Sequence, residues 1–92
     1  MGKNIINIAL FGLGRIGQMH ADNLISNPNF NLRYVFDIDQ KLSKKLSKKY
    51  NCLAIENTNI AFRDKDIKCI FIASSTATHL KFIEEGVHPI YQ

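Results

Sequence analysis

Three glycines stand at positions 12, 14 and 17, directly after the apolar run Ile8-Ala9-Leu10-Phe11 and directly before a stretch of helical periodicity. Asp37 comes twenty residues after Gly17, at the end of a second apolar run. A strand, G-x-G-x-x-G, a helix, a second strand and a terminal acid form a dinucleotide-recognition pattern. Gly12 allows a tight turn out of the strand. Gly14 lets main chain approach a pyrophosphate with no side chain between them. Gly17 lets the new helix pack closely on the sheet. The helix N-terminus offers unpaired N–H groups and a partial positive charge to phosphates. Asp37 can accept both hydroxyls of the adenosine ribose and would repel a 2′-phosphate, so the pattern favours NAD over NADP. The lysines that follow Asp37 soften that discrimination by attracting a phosphate.

Other residues near these positions have open roles. Arg15, inside the glycine loop next to Ile16, can reach a phosphate, stack near adenine or point to water. Ser74, Ser75 and Thr76 follow a near-continuous apolar run, Lys68–Ala73, and offer hydroxyls. His79 can hydrogen-bond a cofactor or begin a helix. Of Thr76 and Thr78, one caps that helix and the other is free to meet the nicotinamide ribose or the pyrophosphate. His20 falls near the packed face of the first helix and reads as a packing residue.

These residues need a particular scaffold. Residues 4–11 alternate as a strand, and residues 15–26 show helical spacing until Asn27-Pro28 stops them. Strands follow at 30–38, 52–55 and 68–73. Helices are expected at 40–49, capped by Asp39, at 57–63, capped by Thr58, and at 78–85, ended by Gly86. Strands alternating with helices predict an α/β, Rossmann-type parallel sheet of order 3-2-1-4, with helices on both faces and an incomplete second half. Ligands bind such sheets beyond the carboxyl ends at the topological switch, here between the first and fourth strands. The glycine loop and the segment Ser74–Thr78 should therefore meet at one crevice.

Composition narrows the function classes. Ninety-two residues allow one domain, a dinucleotide-binding unit over residues 1–92. Such a chain buries roughly 60–65% of its unfolded surface. No apolar run approaches the ~20 residues of a membrane span, and no signal peptide is legible. Position 6 is isoleucine, which excludes a myristoylation signal. Cys52 and Cys69 fit no metal spacing and read as buried thiols in a reducing cytoplasm. The net charge of +4 owes much to Lys41, Lys44, Lys45, Lys48 and Lys49. Those lysines fill one arc of a helix beside Leu42, Leu46 and Tyr50, as a solvated face does. No interleaved aromatics accompany them, so nucleic acid is not an expected partner.

With these motifs in hand, the chain resembles the Gfo/Idh/MocA oxidoreductases, the relatives of glucose–fructose oxidoreductase and inositol 2-dehydrogenase. Gly12-Leu13-Gly14-Arg15-Ile16-Gly17 with His20-Ala21 and Asn23-Leu24 resembles the family's opening. Val35-Phe36-Asp37-Ile38-Asp39 resembles its second strand and ribose-binding acid. Ile72-Ala73-Ser74-Ser75-Thr76-Ala77-Thr78-His79 resembles its I-A-[ST]-P-T-x-T-H loop. The inositol 2-dehydrogenase branch is nearest in wording. The resemblance implies NAD(P)-dependent hydride transfer from a secondary alcohol of a sugar or polyol. It also implies a proton-shuttling lysine in an E-K-P motif and a second, substrate-binding domain.

The resemblance stops before E-K-P. After Glu84-Glu85-Gly86 the sequence reads Val87-His88-Pro89-Ile90-Tyr91-Gln92. No catalytic residue and no metal ligand carries over. The chain reads as the N-terminal piece of such an enzyme, a truncated gene product or a fragment, with the substrate domain absent. Binding without turnover is the mechanistic expectation, and a sugar or polyol substrate belongs only to a full-length relative. A stand-alone nucleotide-binding module and a non-functional relic are the alternatives. The fourth strand is left as an open apolar edge, prone to self-association, unless the tail or another chain covers it. Stability is expected to be marginal and raised by bound nucleotide.

Overall fold

The computed structural model describes residues 5–73 and 78–82, with positions 81 and 82 described by backbone alone. In chain order the elements are β1 (Ile6–Phe11), α1 (Arg15–Ile25), β2 (Phe30–Phe36), α2 (Gln40–Tyr50), β3 (Leu53–Ala54), α3 (Asn59–Arg63), β4 (Ile67–Ala73) and β5 (Thr78–Phe82). The sheet order is β3-β2-β1-β4-β5. The first four strands are parallel, as the alternation of strands and helices requires, and β5 runs antiparallel to β4.

Alternation along β1 divides the core. Ile8 and Leu10 face α1 and α2, packing with Ala21, Leu24, Leu46 and Tyr50. Ala9 and Phe11 face the other way, toward Ala61 of α3 with Tyr34, Ile55, Ile67 and Ile70. Helices thus cover both faces. Each fully buried large aliphatic here contributes about 1.5–3 kcal/mol relative to exposure. Phe11 also makes edge-on contacts with Phe36 and Phe62, at centroid distances of 5.8 and 5.9 Å. That aromatic group fixes the carboxyl end of β1, where the glycine loop begins.

Two register shifts interrupt the alternation. Ile8 pairs with Leu32 and Ala9 with Tyr34, which leaves Arg33 as an extra residue in β2. Asn7 pairs with Ile67 and Ile8 with Cys69, which leaves Lys68 extra in β4. An extra residue lets side chains three apart share a face. Leu32 and Val35 therefore face α1 and α2, while Ile67 and Ile70 face α3.

Asp39 caps α2 as expected, accepting from the N–H groups of Lys41 at 3.1 Å and Leu42 at 3.3 Å. Asn51 closes that helix in the left-handed region, φ 55°, and Lys48 and Lys49 lie in its last turn, where cations are favoured. The cap expected from Thr58 is not made by its side chain. Asn57 turns the chain instead, its Oδ1 accepting from the Asn59 N–H at 2.8 Å.

The expected helix at 78–85 is corrected over residues 78–82. They form β5, registered as Ala73↔Thr78, Ile72↔His79 and Phe71↔Leu80. The physical reason is the unpaired ladder of N–H and C=O groups along β4, which a strand satisfies and a helix does not. Thr78-His79-Leu80-Lys81-Phe82 also alternates with the period of a strand. Strand β5 thereby covers the edge that the sequence left open. Residues 83–85 and Gly86 lie outside the described residues.

On the α3 side, the Tyr34 hydroxyl donates to Asp64 Oδ2 at 2.6 Å, and Arg33 Nε lies 3.1 Å from the same oxygen. The Tyr34 hydrogen bond, then the Asp66 amide and the Arg33 charge, hold Asp64 below the ordinary carboxylate range against the opposing effect of burial. A depressed carboxylate stabilises the fold fully above its unfolded pKa, and that contribution is lost as pH falls through the folded value. Tyr34→Phe removes the largest cause of the shift. The fall in Tm between about pH 6 and about pH 3 should therefore be shallower in Tyr34→Phe than in wild type. Parallel Tm–pH curves would refute this role.

Candidate functional site

The turn from β1 into α1 is dictated by close main-chain approaches. Gly12 donates its N–H to the Phe36 carbonyl at 2.8 Å and adopts φ +95°, a region that favours glycine. A Cβ on Gly12 would run into the Ala73 carbonyl oxygen at the end of β4. A Cβ on Gly17 would run into the Gly12 carbonyl oxygen. Gly14 differs from both. Its backbone, φ −71° and ψ −165°, suits any residue, and a Cβ there would meet nothing within 4 Å. The fold needs two of the three glycines, and the third faces open space.

Helix α1 begins at that opening. Gly14 occupies its N-cap position with no side-chain cap, and its first turn holds no acidic residue. Its leading N–H groups are therefore not taken by a capping side chain, in contrast to those of α2. Arg15 is exposed in the same turn.

Asp37 reaches across to this loop. Its Oδ2 accepts from the Leu13 N–H at 2.7 Å, and its Oδ1 accepts from the Asp39 N–H at 2.9 Å. The two halves of the motif, 24 residues apart in sequence, are thus in direct contact. Around them sits a second set of bonds. The Asp37 N–H donates to Ser43 Oγ at 2.8 Å, and Gln40 Nε2 donates to the Asp37 carbonyl at 2.8 Å. Gln18 Nε2 donates to the Leu13 carbonyl at 3.0 Å, and the Tyr50 hydroxyl donates to the Gln18 carbonyl at 3.4 Å. Burial, first, and the neighbouring Asp22 push Tyr50 up to about 12, so it remains a neutral donor. Sequence reasoning missed Gln18, Gln40 and Ser43. Ser43 did carry a signal: it lies on the apolar arc of α2 with Leu46 and Tyr50.

A cleft of about 490 Å³ opens here. It is lined by Gly12, Gly14, Arg15, Ile16 and Gly17 of the loop, together with Asp37 after β2 and Ala73 at the end of β4. A groove of about 290 Å³ adjoins it through Gly12, Asp37 and Ala73, and adds Phe11, Phe36, Ile38 and Ile72. Ile38 is 91% exposed, which is unusual for a large aliphatic. The volumes fall in or near the roughly 300–1,000 Å³ of small-molecule sites. The site lies at the carboxyl ends of β1, β2 and β4, the expected switch point.

The structure thus gathers Gly12, Gly14, Arg15, Ile16, Gly17 and Asp37 at one cleft. Ser74, Ser75 and Thr76 lie outside the described residues. His79 sits exposed on β5, paired in register with Ile72, and is not among the described residues lining either cavity. With β5 a strand, neither His79 nor Thr78 begins a helix. Thr78 Oγ1 instead lies 2.6 Å from His20 Nε2, and the His20 ring packs on Phe71 at 5.7 Å. His20 is a packing residue, as expected. Cys52 and Cys69 are free, and burial pushes both thiols up to about 11. The described residues contain no group of three metal-ligating side chains, and no helix among them is long and apolar enough to cross a membrane.

Residues 6–88 match the pattern of the Gfo/Idh/MocA family, an oxidoreductase family with an NAD-binding Rossmann fold. The chain belongs to that family. It is 33% identical over 90 residues to the uncharacterized oxidoreductase YrbE of Bacillus subtilis strain 168, covering 94% of this chain and 25% of YrbE. A myo-inositol dehydrogenase from Corynebacterium glutamicum is 35% identical with a TM-score of 0.70, over 78% of this chain and 22% of that enzyme. The myo-inositol dehydrogenase of Lactobacillus casei, solved with NAD(H) and myo-inositol, shares the fold at 22% identity and a TM-score of 0.70, over 77% and 22% of the two chains. The chain therefore spans about a quarter of the length of the relatives it matches.

The glycine contacts yield a direct test. In Gly17→Ala the added methyl meets main chain, which cannot swing aside. We expect a loss of about 1–3 kcal/mol, and each kcal/mol is worth roughly 4–8 °C in Tm for a domain of this size. Thermal unfolding of the ligand-free chain measures it, and an unchanged Tm would contradict the packing described.

Proposed function

We propose that residues 1–92 form a dinucleotide-binding domain that takes NAD in preference to NADP. One observation carries the reading. The Asp37 carboxylate is bonded to the Leu13 amide at the rim of a cleft where α1 starts without a side-chain cap. A carboxylate fixed by two N–H donors keeps acceptor capacity on both oxygens, which suits a pair of ribose hydroxyls. It presents the wrong sign to a 2′-phosphate. The uncapped N-terminus and Arg15 present the right sign to a pyrophosphate. The open space before Gly14 is what a diphosphate needs to approach main chain. In this reading Ile16 packs along the ligand, and Ser74, Ser75, Thr76 and His79 are assigned to the nicotinamide side by resemblance.

When bound, NAD supplies a hydride acceptor. The residues of this cleft bind and orient it. Within a longer family member, the same reading extends to hydride exchange with a secondary alcohol of a sugar or polyol. The family match and the similarity to a myo-inositol dehydrogenase over 22% of that enzyme's length support this extension.

Calorimetry and thermal unfolding of the 92-residue chain test the binding claim. Ligand at about 100 times its Kd should stabilise the chain by about 2.7 kcal/mol, roughly 10–20 °C in Tm. NADP should bind at least about tenfold more weakly than NAD, a difference of about 1.4 kcal/mol. Gly14→Ala should leave the Tm of the free chain within about 2 °C, because its Cβ meets nothing, yet weaken NAD binding at least about tenfold. No heat and no Tm shift with either coenzyme would end the proposal.

A further inference from the structure

Ser43 is the buried polar residue of the described core, with no accessible surface at all. It sits on α2, yet the shortest bond of its hydroxyl is to the segment after β2. The hydroxyl oxygen accepts the Asp37 N–H at 2.8 Å. Its own proton is within reach of the carbonyls of Asp37 at 3.3 Å and Asp39 at 3.5 Å. Asp37 is the first residue beyond β2, whose last residue, Phe36, gives its carbonyl to Gly12. Past that point the sheet ladder no longer supplies a partner for the chain. Ser43 takes over where the ladder stops.

We propose that Ser43 is a positioning residue that sets where the Asp37 carboxylate stands, and thereby the recognition of the adenosine ribose. This rests on the dinucleotide reading above. Two anchors hold the acid from opposite ends. Leu13 N–H holds the carboxylate at 2.7 Å, and Ser43 holds the backbone from which that carboxylate projects. A recognition group must be kept within roughly 0.5 Å of its working geometry by neighbours that are themselves locked by packing. Full burial between strand and helix locks Ser43 in that way. Gln40 adds a bond to the Asp37 carbonyl, but from a half-buried, longer side chain. Without the Ser43 hydroxyl, the Asp37 N–H loses its partner. The turn then relaxes to find another, carrying the carboxylate away from Leu13.

A merely structural serine would weaken every ligand alike. A positioning serine weakens only ligands that bear the ribose hydroxyls. The 92-residue chain, Ser43→Ala and the near-isosteric Ser43→Cys should be titrated with NAD and with its analogue lacking both adenosine ribose hydroxyls. Ser43→Cys preserves the volume of the site, should Ser43→Ala not fold, and its thiol is a poor acceptor. The expected result is an about tenfold loss for NAD in the variants and less than about twofold for the analogue. In the ligand-free variants the Leu13 amide proton should also move upfield as its bond to Asp37 lengthens. Equal losses for both ligands, no loss for either, or an unmoved Leu13 amide overturns the positioning role while leaving the dinucleotide reading in place. A wild-type chain that binds neither ligand removes that reading, and this inference with it.

Discussion

Where β1 ends and α1 has not yet begun, the main-chain N–H of Leu13 points away from both, and its partner is the carboxylate of Asp37 at 2.7 Å. The bond ties the turn after β1 to the turn after β2. A buried or half-buried amide left without a partner costs about as much as a lost hydrogen bond, so the acid has a structural reason to be there. The same bond points the carboxylate at the cleft. Gln18 holds the other side of the same peptide region through the Leu13 carbonyl at 3.0 Å. The loop is therefore held at both polar groups of Leu13.

The two long helices treat their N-termini in opposite ways. Helix α2 has Asp39, whose side chain accepts from two leading N–H groups. Helix α1 has Gly14, which has no side chain to offer. Glycine at an N-cap, in place of a capping side chain, costs only about a few tenths of a kcal/mol. Here the helix start opens onto a cleft of about 490 Å³ and carries Arg15. The strand that leads into it is well supported: β1 is paired on both sides from Asn7 to Phe11 and buried from Ile8 to Phe11. The open start of α1 thus follows directly on a strand held from both sides.

Much of this was legible in the sequence because the signals are local. The glycine spacing, the apolar run before it and the acid at the end of the next run each depend on residues a few positions apart. Strand order followed from the alternation of elements, and Asp39 followed from its place before a periodic segment. Illegible features depend on partners distant in the chain. Thr78–Phe82 has an alternation of two but also tolerates a helical reading, and only the unpaired edge of β4 decides between them. The extra residues Arg33 and Lys68 exist in relation to β1, not to their own strands. Gln18 and Ser43 show their roles only when Leu13 and Asp37 are brought to them. Ser43 could have been flagged as a polar residue on a buried arc, but its partner could not.

Fold and site draw on the same loop without competing for the same groups. Gly12 and Gly17 are required by close main-chain approaches, to Ala73 and to each other, where a side chain would not fit. Leu13 is buried, and both its polar groups are bonded, to Asp37 and Gln18. What the fold leaves over is the open face of Gly14, the uncapped start of α1, the exposed guanidinium of Arg15 and the spare acceptor capacity of Asp37. Those remainders differ in charge, and they line one cleft: donors and a cation on the loop, and a carboxylate bonded to that loop through Leu13. A ligand that matches them must be anionic where it meets the loop and rich in hydroxyl donors where it meets the acid. A phosphate joined to a ribose has that order of groups, and the spacing between Gly14 and Asp37 is fixed by the bond that runs between Leu13 and the acid itself.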